Sequence, residues 1–491
     1  MESSSPNTLQ RKTELLFSIH VERIKRIIGS PWTRTSSIYE EDQEKGHNFP
    51  ASTENADPST TPDPPHTFHQ AALIVCGFVN NALLSGMNNA WPVMMLYHLD
   101  HAGDPKLSLL PKEDATNRAK LAWIGSTSGS ATAYFITLAI VAVLCRSKAT
   151  TVLGRVWPSF SSVSHMSAIG AFLIFVGHIA ASFSNQYWHL LLTQGILTGI
   201  GHALLYNPVT TIANEYFSSK SVGVCTGIMA AGAGVGGVAF APLTEVLLEK
   251  CGMRVTLRIL GTIIGSVGLM SAVLSPPPRP MPKRSLFPKK ALKNVVFWSV
   301  LLAEIAANLT AFIPNTYAPE FSKEVLGFDV KKAATLSLYI LNGVGIFGRI
   351  GLGFIRDRFG SQNTLILSSV VLAISTALWH SSSNTQDPDT WYAFLVIWGM
   401  FLSGFGTIVN AYVSDVFPGE EMFAILGQVN MARGIGSVAG PPLAGKMLGD
   451  GSDYKQTIGY LGVMLAVTVT VLCFSRGWIK AGGVEVDRMS L

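Results

Sequence analysis

From residue 68 onward the chain is a succession of apolar stretches of similar length, and this feature leaves few folds open. Crossing about 30 Å of hydrocarbon takes roughly 20 helical residues at 1.5 Å each. Stretches of that size fall near 70–97, 120–145, 163–184, 188–213, 222–247 and 255–275, then 295–318, 333–355, 363–381, 391–413, 423–447 and 457–476. That is six, a break, and six. Lipid offers the backbone no hydrogen-bond partner, so each stretch is predicted to be a helix that satisfies its own peptide groups. A water-soluble fold is excluded by the same token: 14% of the residues are charged, against roughly 25% in ordinary soluble domains. The 46 glycines and 25 prolines fall largely inside apolar runs, where membrane helices accept them.

Charge sets the expected orientation. The break from Pro276 to Asn294 carries Arg279, Lys283, Arg284, Lys289, Lys290 and Lys293 and no acid, which marks a cytoplasmic loop. With six spans on either side, both termini are then cytoplasmic too. The net charge of +5 is read as membrane orientation and not as a nucleic-acid footprint. The predicted organisation is a polar tail over 1–67, a six-helix bundle over 68–275, a basic linker over 276–294, a second bundle over 295–478 and a short cytoplasmic tail over 479–491. Within the first tail, Leu15 to Ile28 interleaves apolar residues with Arg23, Lys25 and Arg26, the pattern of a basic interfacial helix.

The halves repeat. Sliding the chain by 200 residues lays Glu215–Leu243 on Asp415–Leu443, with Phe217, Gly227, Gly234, Gly236 and Pro242 meeting Phe417, Gly427, Gly434, Gly436 and Pro442. Both segments run the same way across the membrane, so the repeat is parallel, about an axis along the membrane normal. The expected fold class is therefore an all-α membrane protein of twelve helices in two parallel six-helix pseudo-repeats.

No motif points to a reaction. The five cysteines have no metal-ligand spacing, and the Gly-x-Gly-x-x-Gly runs at Gly232 and Gly343 lie inside apolar helices, where small residues allow close helix contact. Neither an enzyme active site, a metal site nor a cofactor site is expected. Candidate functional residues are instead the polar groups placed inside spans. In the first span Asn81, Ser85, Asn88 and Pro92 share a helix face, with Asn80 and Asn89 beside it. Amides are costly to show to lipid, so this face is expected to line a cavity or bond another helix. His202, Tyr206 and Asn207 of the fourth span are candidates to join it.

Three charges stand inside the second half: Glu304, Arg349 and Arg433. Each lies roughly 12–15 Å from the cytoplasmic end of its span at 1.5 Å per residue, so they are placed to meet. Each costs on the order of 2.5–3.5 kcal/mol at a helix centre unless paired or hydrated. Glu304, Asn308 and Asn315 share one face of the seventh helix, and Asn342, Arg349 and Gly353 one face of the eighth. The expected roles are an anionic substrate group on Arg349 or Arg433, a proton on Glu304, and hydrogen bonds from Asn308, Asn342, Asn81, Asn88 and Asn207. A permanent Glu–Arg bridge is the structural alternative for the carboxylate. At the end of the eighth span, Arg356, Asp357, Arg358 and Gly360 form a charged turn suited to gating, since an acid can cap a neighbouring helix while the arginines pair elsewhere. Gly154 to Ser161 is a weaker first-half copy that lacks the acid.

Several segments resemble the monocarboxylate porter family of the major facilitator superfamily, in its fungal form: Trp123-Ile124-Gly125-Ser126, Gln194-Gly195 with Gly199 and Gly201, Tyr216-Phe217 leading to Ala230-Ala231-Gly232, and Gly348-Arg349 through Asp357-Arg358-Phe359-Gly360. The resemblance spans roughly 70–480. It departs from the family before the first span, where Asp63-Pro64-Pro65-His66 replaces an Asp-Gly-Gly entry, and the first span has no lysine. Membership implies secondary transport, often coupled to protons, and export of biosynthetic products among fungal relatives. The resulting expectation is a transporter, in the plasma membrane or alternatively a vacuolar or other internal membrane, that moves a small organic solute by alternating access, with a transport-inactive nutrient sensor of the same fold as the alternative function.

Overall fold

The computed structural model describes residues 67–104, 107–137, 163–217, 222–276, 291–417, 422–449 and 453–479. The Leu15–Ile28 segment, the basic run Arg279–Lys290 and the Gly154–Ser161 motif lie outside the described residues.

The first six helices are α1 (Thr67–Asp100), α2 (Arg118–Ser128, carried on by Ser130–Phe135), α3 (Val163–Ala181), α4 (Thr198–Tyr216, entered through a π-helical segment Leu191–Leu197), and α5 and α6, the two arms of Val222–Leu274. The turn between those arms is made at Gly252, whose φ of 70° is a left-handed conformation that favours glycine. The second six are α7 (Val295–Ala311, resuming as Ile313–Glu324), α8 (Val330–Phe359), α9 (Ser361–Thr385), α10 (Pro388–Val416), α11 (Met422–Leu448) and α12 (Lys455–Trp478). The seventh span thus runs past its sequence-predicted end at 318 as far as Glu324.

Helix starts follow side-chain capping. Asn294 Oδ1 accepts from the Val296 N–H at 2.9 Å before α7. Asp387 accepts from the N–H groups of Asp389 and Thr390 before α10. Its hydrogen bonds, foremost that from the Thr390 hydroxyl, hold this carboxyl below the usual carboxylate range. Between α8 and α9, Gly360 has a φ of 82°, so the glycine of the charged turn is required by the chain reversal itself.

Within each half one helix crosses another at backbone contact, and the contact repeats. On α5, a Cβ at Gly232 would lie 2.0 Å from the Phe78 carbonyl oxygen, and one at Gly236 2.0 Å from that of Ala82. On α11, Gly436 and Gly440 would meet the carbonyls of Ile305 and Leu309 at 2.6 and 2.2 Å. Small residues let both pairs of helices touch.

The halves meet through α2 against α11 and α5 against α8. Away from the linker, at what is here termed the distal end, they are in close contact: a Cβ at Gly445 would lie 2.9 Å from the Ala119 nitrogen, and one at Gly237 would lie 2.3 Å from Asn342 Oδ1. Gly234 still meets Ile346 at 2.5 Å. Farther toward the linker end, on the same helix faces, Gly227 and Gly353 have nothing within 4 Å. The two bundles therefore close at the distal end and part at the end that carries the linker.

Candidate functional site

Between the halves lies a cavity of about 240 Å³. From the first half, α1 contributes Asn81, Ser85, Asn88 and Asn89 to its wall, so the polar face read from the sequence does line a cavity. From the second half come Asn308 and Asn315 of α7 and Asn342 and Arg349 of α8. Aromatic surface separates these groups: Tyr134, Tyr206, Phe312, Trp398 and Phe405. A pocket with apolar walls and a few convergent polar groups is the general form of a small-molecule site.

The three buried charges do not all meet. Glu304 pairs with Arg433, whose Nε donates to Glu304 Oε2 at 3.1 Å. The Asn308 amide donates to the same oxygen at 3.0 Å. Arg433 also donates to Asn430 Oδ1 at 3.3 Å and places its guanidinium 5.3 Å from the centre of the Tyr134 ring, a cation–π contact that crosses from one half to the other. Arg433 lines the cavity, and Glu304 is buried behind it.

Arg349 stands apart. Its Nε donates to the Ser403 carbonyl at 3.2 Å and its Nη1 to the Ala230 carbonyl at 3.1 Å. No carboxylate pairs with it among the described residues. The two arginines are the charged groups of the cavity wall, and one of them is neutralised by Glu304. Among the described residues, the wall therefore carries one uncompensated positive charge.

The remaining candidates divide. Asn342 and Asn89 exchange hydrogen bonds across the halves, with Asn342 Nδ2 donating to Asn89 Oδ1 at 2.6 Å. The Asn81 amide donates to the Gly77 carbonyl of its own helix at 2.8 Å. Asn207 is not in the cavity wall: its amide donates to the Ala133 carbonyl at 2.9 Å and its oxygen accepts from Thr137, tying α4 to α2. His202 likewise bonds the Ser128 carbonyl at 3.1 Å. At the linker end Arg356 pairs with Asp415 at 3.5 Å, while Asp357 is 72% exposed and, among the described residues, pairs with Arg356 alone at 3.9 Å. Arg358 is exposed. Among the described residues Asp357 caps no helix in this conformation.

The Major Facilitator Superfamily model matches residues 73–441. The chain belongs to that superfamily. Being a facilitator, it is a membrane transporter and not an enzyme, and its apolar helices make it an integral membrane protein. It is similar to the MFS transporter asaE of Aspergillus flavus, with 27% identity covering 64% of this chain and 71% of that one. It is similar also to the aspyridones efflux protein apdF of Emericella nidulans, with 28% identity over 62% and 63%. Monocarboxylate transporter 4 of Gallus gallus shows 26% identity over 63% and 67%, which gives the porter resemblance its counterpart. Among solved structures, a bacterial homolog of the human lysosomal transporter Spinster, in an inward-facing and occupied conformation, superposes with a TM-score of 0.57. It has 15% identity and covers 87% of this chain and 98% of that one, a likeness of fold.

Sequence reasoning missed part of this facilitator's cavity: Tyr134, Ser403, Trp398 and Phe405. Ser403 and Trp398 stand in a largely apolar helix with no charged neighbour within the span. The one available signal is that a hydroxyl and an indole share that helix at five-residue spacing. Nothing in the sequence points Tyr134 at Arg433.

Proposed function

We propose that this protein is a proton-coupled exporter of a small organic acid, with both termini and the basic linker in the cytoplasm and the plasma membrane as its site. The observation that carries the reading is Arg349. It faces the cavity with two backbone carbonyls as partners and no counter-ion among the described residues. A guanidinium taken from water in this way is stabilised when an anion joins it, so a carboxylate-like group would complete the site. The aromatic wall suits an apolar body behind that group, and Asn81, Asn88, Asn308 and Asn342 supply hydrogen bonds.

Coupling is placed on Glu304 and Arg433. With Glu304 ionised, Arg433 is held by it. A proton on Glu304 weakens that hold and frees Arg433 to contact the solute, so proton and solute act on the same guanidinium. The parting of the halves at the linker end corresponds to an inward-facing state, ready to load from the cytoplasm. When that end closes, Asp357 with Arg356 and Arg358 would meet the first half and lock it, while Gly360 keeps the turn.

Export is supported by the aspyridones efflux protein of Emericella nidulans among the relatives. The test is an untargeted comparison of metabolites inside and outside cells with and without the protein, followed by flux in vesicles. An organic acid should accumulate outside. Arg349→Gln should lower its flux about 10–100-fold at normal abundance, the worth of a charged hydrogen bond. Glu304→Gln should leave abundance normal and make flux indifferent to the pH gradient. If instead it depletes folded protein, Glu304 is a permanent bridge, and if it changes neither, Glu304 has no part. Orientation is checked by impermeant thiol labelling of single cysteines at Ser285 and Asn185 on intact cells. Labelling at Ser285 alone would reverse it.

A further inference from the structure

The distal end, where the halves close, is held by ions. Arg118 at the start of α2 pairs with Glu320 and with Glu324, the latter at 3.1 Å, both on the continuation of α7. Its Nη1 donates to the Gly449 carbonyl beyond α11 at 2.8 Å. Lys323, between the two glutamates, pairs with Asp100 at the end of α1. Arg118 and Asp100 belong to the first half, and the other four groups to the second. Every bond therefore spans the seam that must part for the distal end to open. Lys120 and Asp114 nearby pair with each other within the first half and balance.

Among the described residues the cluster is short of one positive charge: Asp100, Glu320 and Glu324 face Arg118 and Lys323. The three carboxylates are not equivalent. Glu324 is one-third exposed and accepts from Arg118 on both oxygens, at 3.3 and 3.1 Å. Asp100 has its own cation in Lys323. Glu320 is 2% exposed, gives one oxygen to Arg118, and leaves the other, Oε2, buried with no hydrogen-bond partner. The buried Tyr454 hydroxyl, from the segment before α12, interacts electrostatically with Glu320 and also has no partner. Tyr317 on the same helix faces the group as well but donates its hydroxyl to the Pro441 carbonyl at 2.8 Å. An orphaned carboxylate oxygen in a cluster with one excess negative charge is a place for a proton.

We propose that Glu320 is a proton site at the distal gate. The closed end buries this carboxyl beside Asp100 and Glu324 and disfavours its bare charge, whereas an open end wets it, so protonation balances the described cluster and holds the halves together at that end. The ratio of closed to open distal gate is expected to rise about tenfold on protonation, the cost of a buried, part-paired carboxylate being of that order. The site rests on the alternating-access reading above. It is distinct from Glu304, which lies in the cavity region and pairs with Arg433.

The test reads gate opening directly. In the full-length chain with its five cysteines replaced by serine, Ala311→Cys puts a thiol in the cavity wall. An impermeant maleimide is applied to right-side-out and inside-out vesicles, and labelling from the distal face is divided by labelling from the linker face at the same pH. The ratio should fall about tenfold as the distal side goes from about pH 8 to about pH 5. With Glu320→Gln it should be low and flat, and with Glu324→Gln it should keep its pH response. A flat ratio in the parent, or a response that survives Glu320→Gln, overturns the proposal. Should Glu320→Gln fail to reach the membrane, a response lost with Glu324→Gln overturns it equally. If closing of the distal end follows acid applied in the inside-out preparation, the proton site stands and the proposed orientation fails. Because labelling does not depend on flux, failure of the exporter reading leaves this outcome legible.

Discussion

The α1–α5 crossing of the first half and the α7–α11 crossing of the second are built alike and charged differently. In both, two glycines four residues apart bring one helix onto the backbone of the other: Gly232 and Gly236 over Phe78 and Ala82, Gly436 and Gly440 over Ile305 and Leu309. The residue just before the Ala82 contact is Asn81, and just before the Ile305 contact it is Glu304. Opposite them, the 200-residue repeat sets Ala233 against Arg433. One crossing therefore holds an amide and a methyl group where the other holds an ion pair. The comparison separates two demands on the same position. Close helix packing needs only small residues, and both halves satisfy it. A buried pair adds little net stability over apolar packing, so its presence in one half alone points to function.

The sharpest way to break this comparison is to remove one partner. Arg433→Ala leaves Glu304 buried without its cation and should cost about 3–5 kcal/mol, seen as a large loss of folded protein by size-exclusion profile. Glu304→Asn combined with Arg433→Ala recreates the first-half pair. It should restore most of the abundance while flux stays low. If the double variant is no better than the single, the two crossings are not interchangeable scaffolds.

A smaller effect tests the shared part. Gly236→Ala and Gly436→Ala each push a methyl group against a backbone carbonyl and should cost about 1–3 kcal/mol, compared as thermal-unfolding midpoints in detergent. Similar losses would support equivalent packing. A much larger loss at Gly436 would mean that the second crossing also depends on keeping Glu304 and Arg433 in register.

The smallest effect is expected at the linker end. Asp357 is largely exposed and weakly paired here, so Asp357→Asn should change stability by less than about 1 kcal/mol while slowing turnover a few-fold. Unchanged turnover in vesicles would reduce the charged turn to a positive anchor beside the membrane.

What the sequence determined by itself is what depends on one helix at a time. Span length, the break after the sixth span, the parallel repeat and the polar faces of α1, α7 and α8 all follow from spacing along a single rod. Asn81, Asn88, Asn308, Asn342 and Arg349 line the cavity as their helix faces implied. Depth was legible in part, since Glu304 pairs with Arg433 and Arg349 lines the same cavity as Arg433. Which arginine meets the glutamate was not, because depth leaves the neighbour undetermined. The glycines of α11 seat it on α7 and bring Arg433 to Glu304, whereas α8 packs on α10 and α5 and turns Arg349 to the Ser403 and Ala230 carbonyls. Asn207 shows the same limit, its face being taken by α2. The bonds of Arg118 to Glu320 and Glu324 join residues about two hundred positions apart. Only the closing of two bundles at one end puts those charges together, and a periodicity read along either helix carries no trace of it.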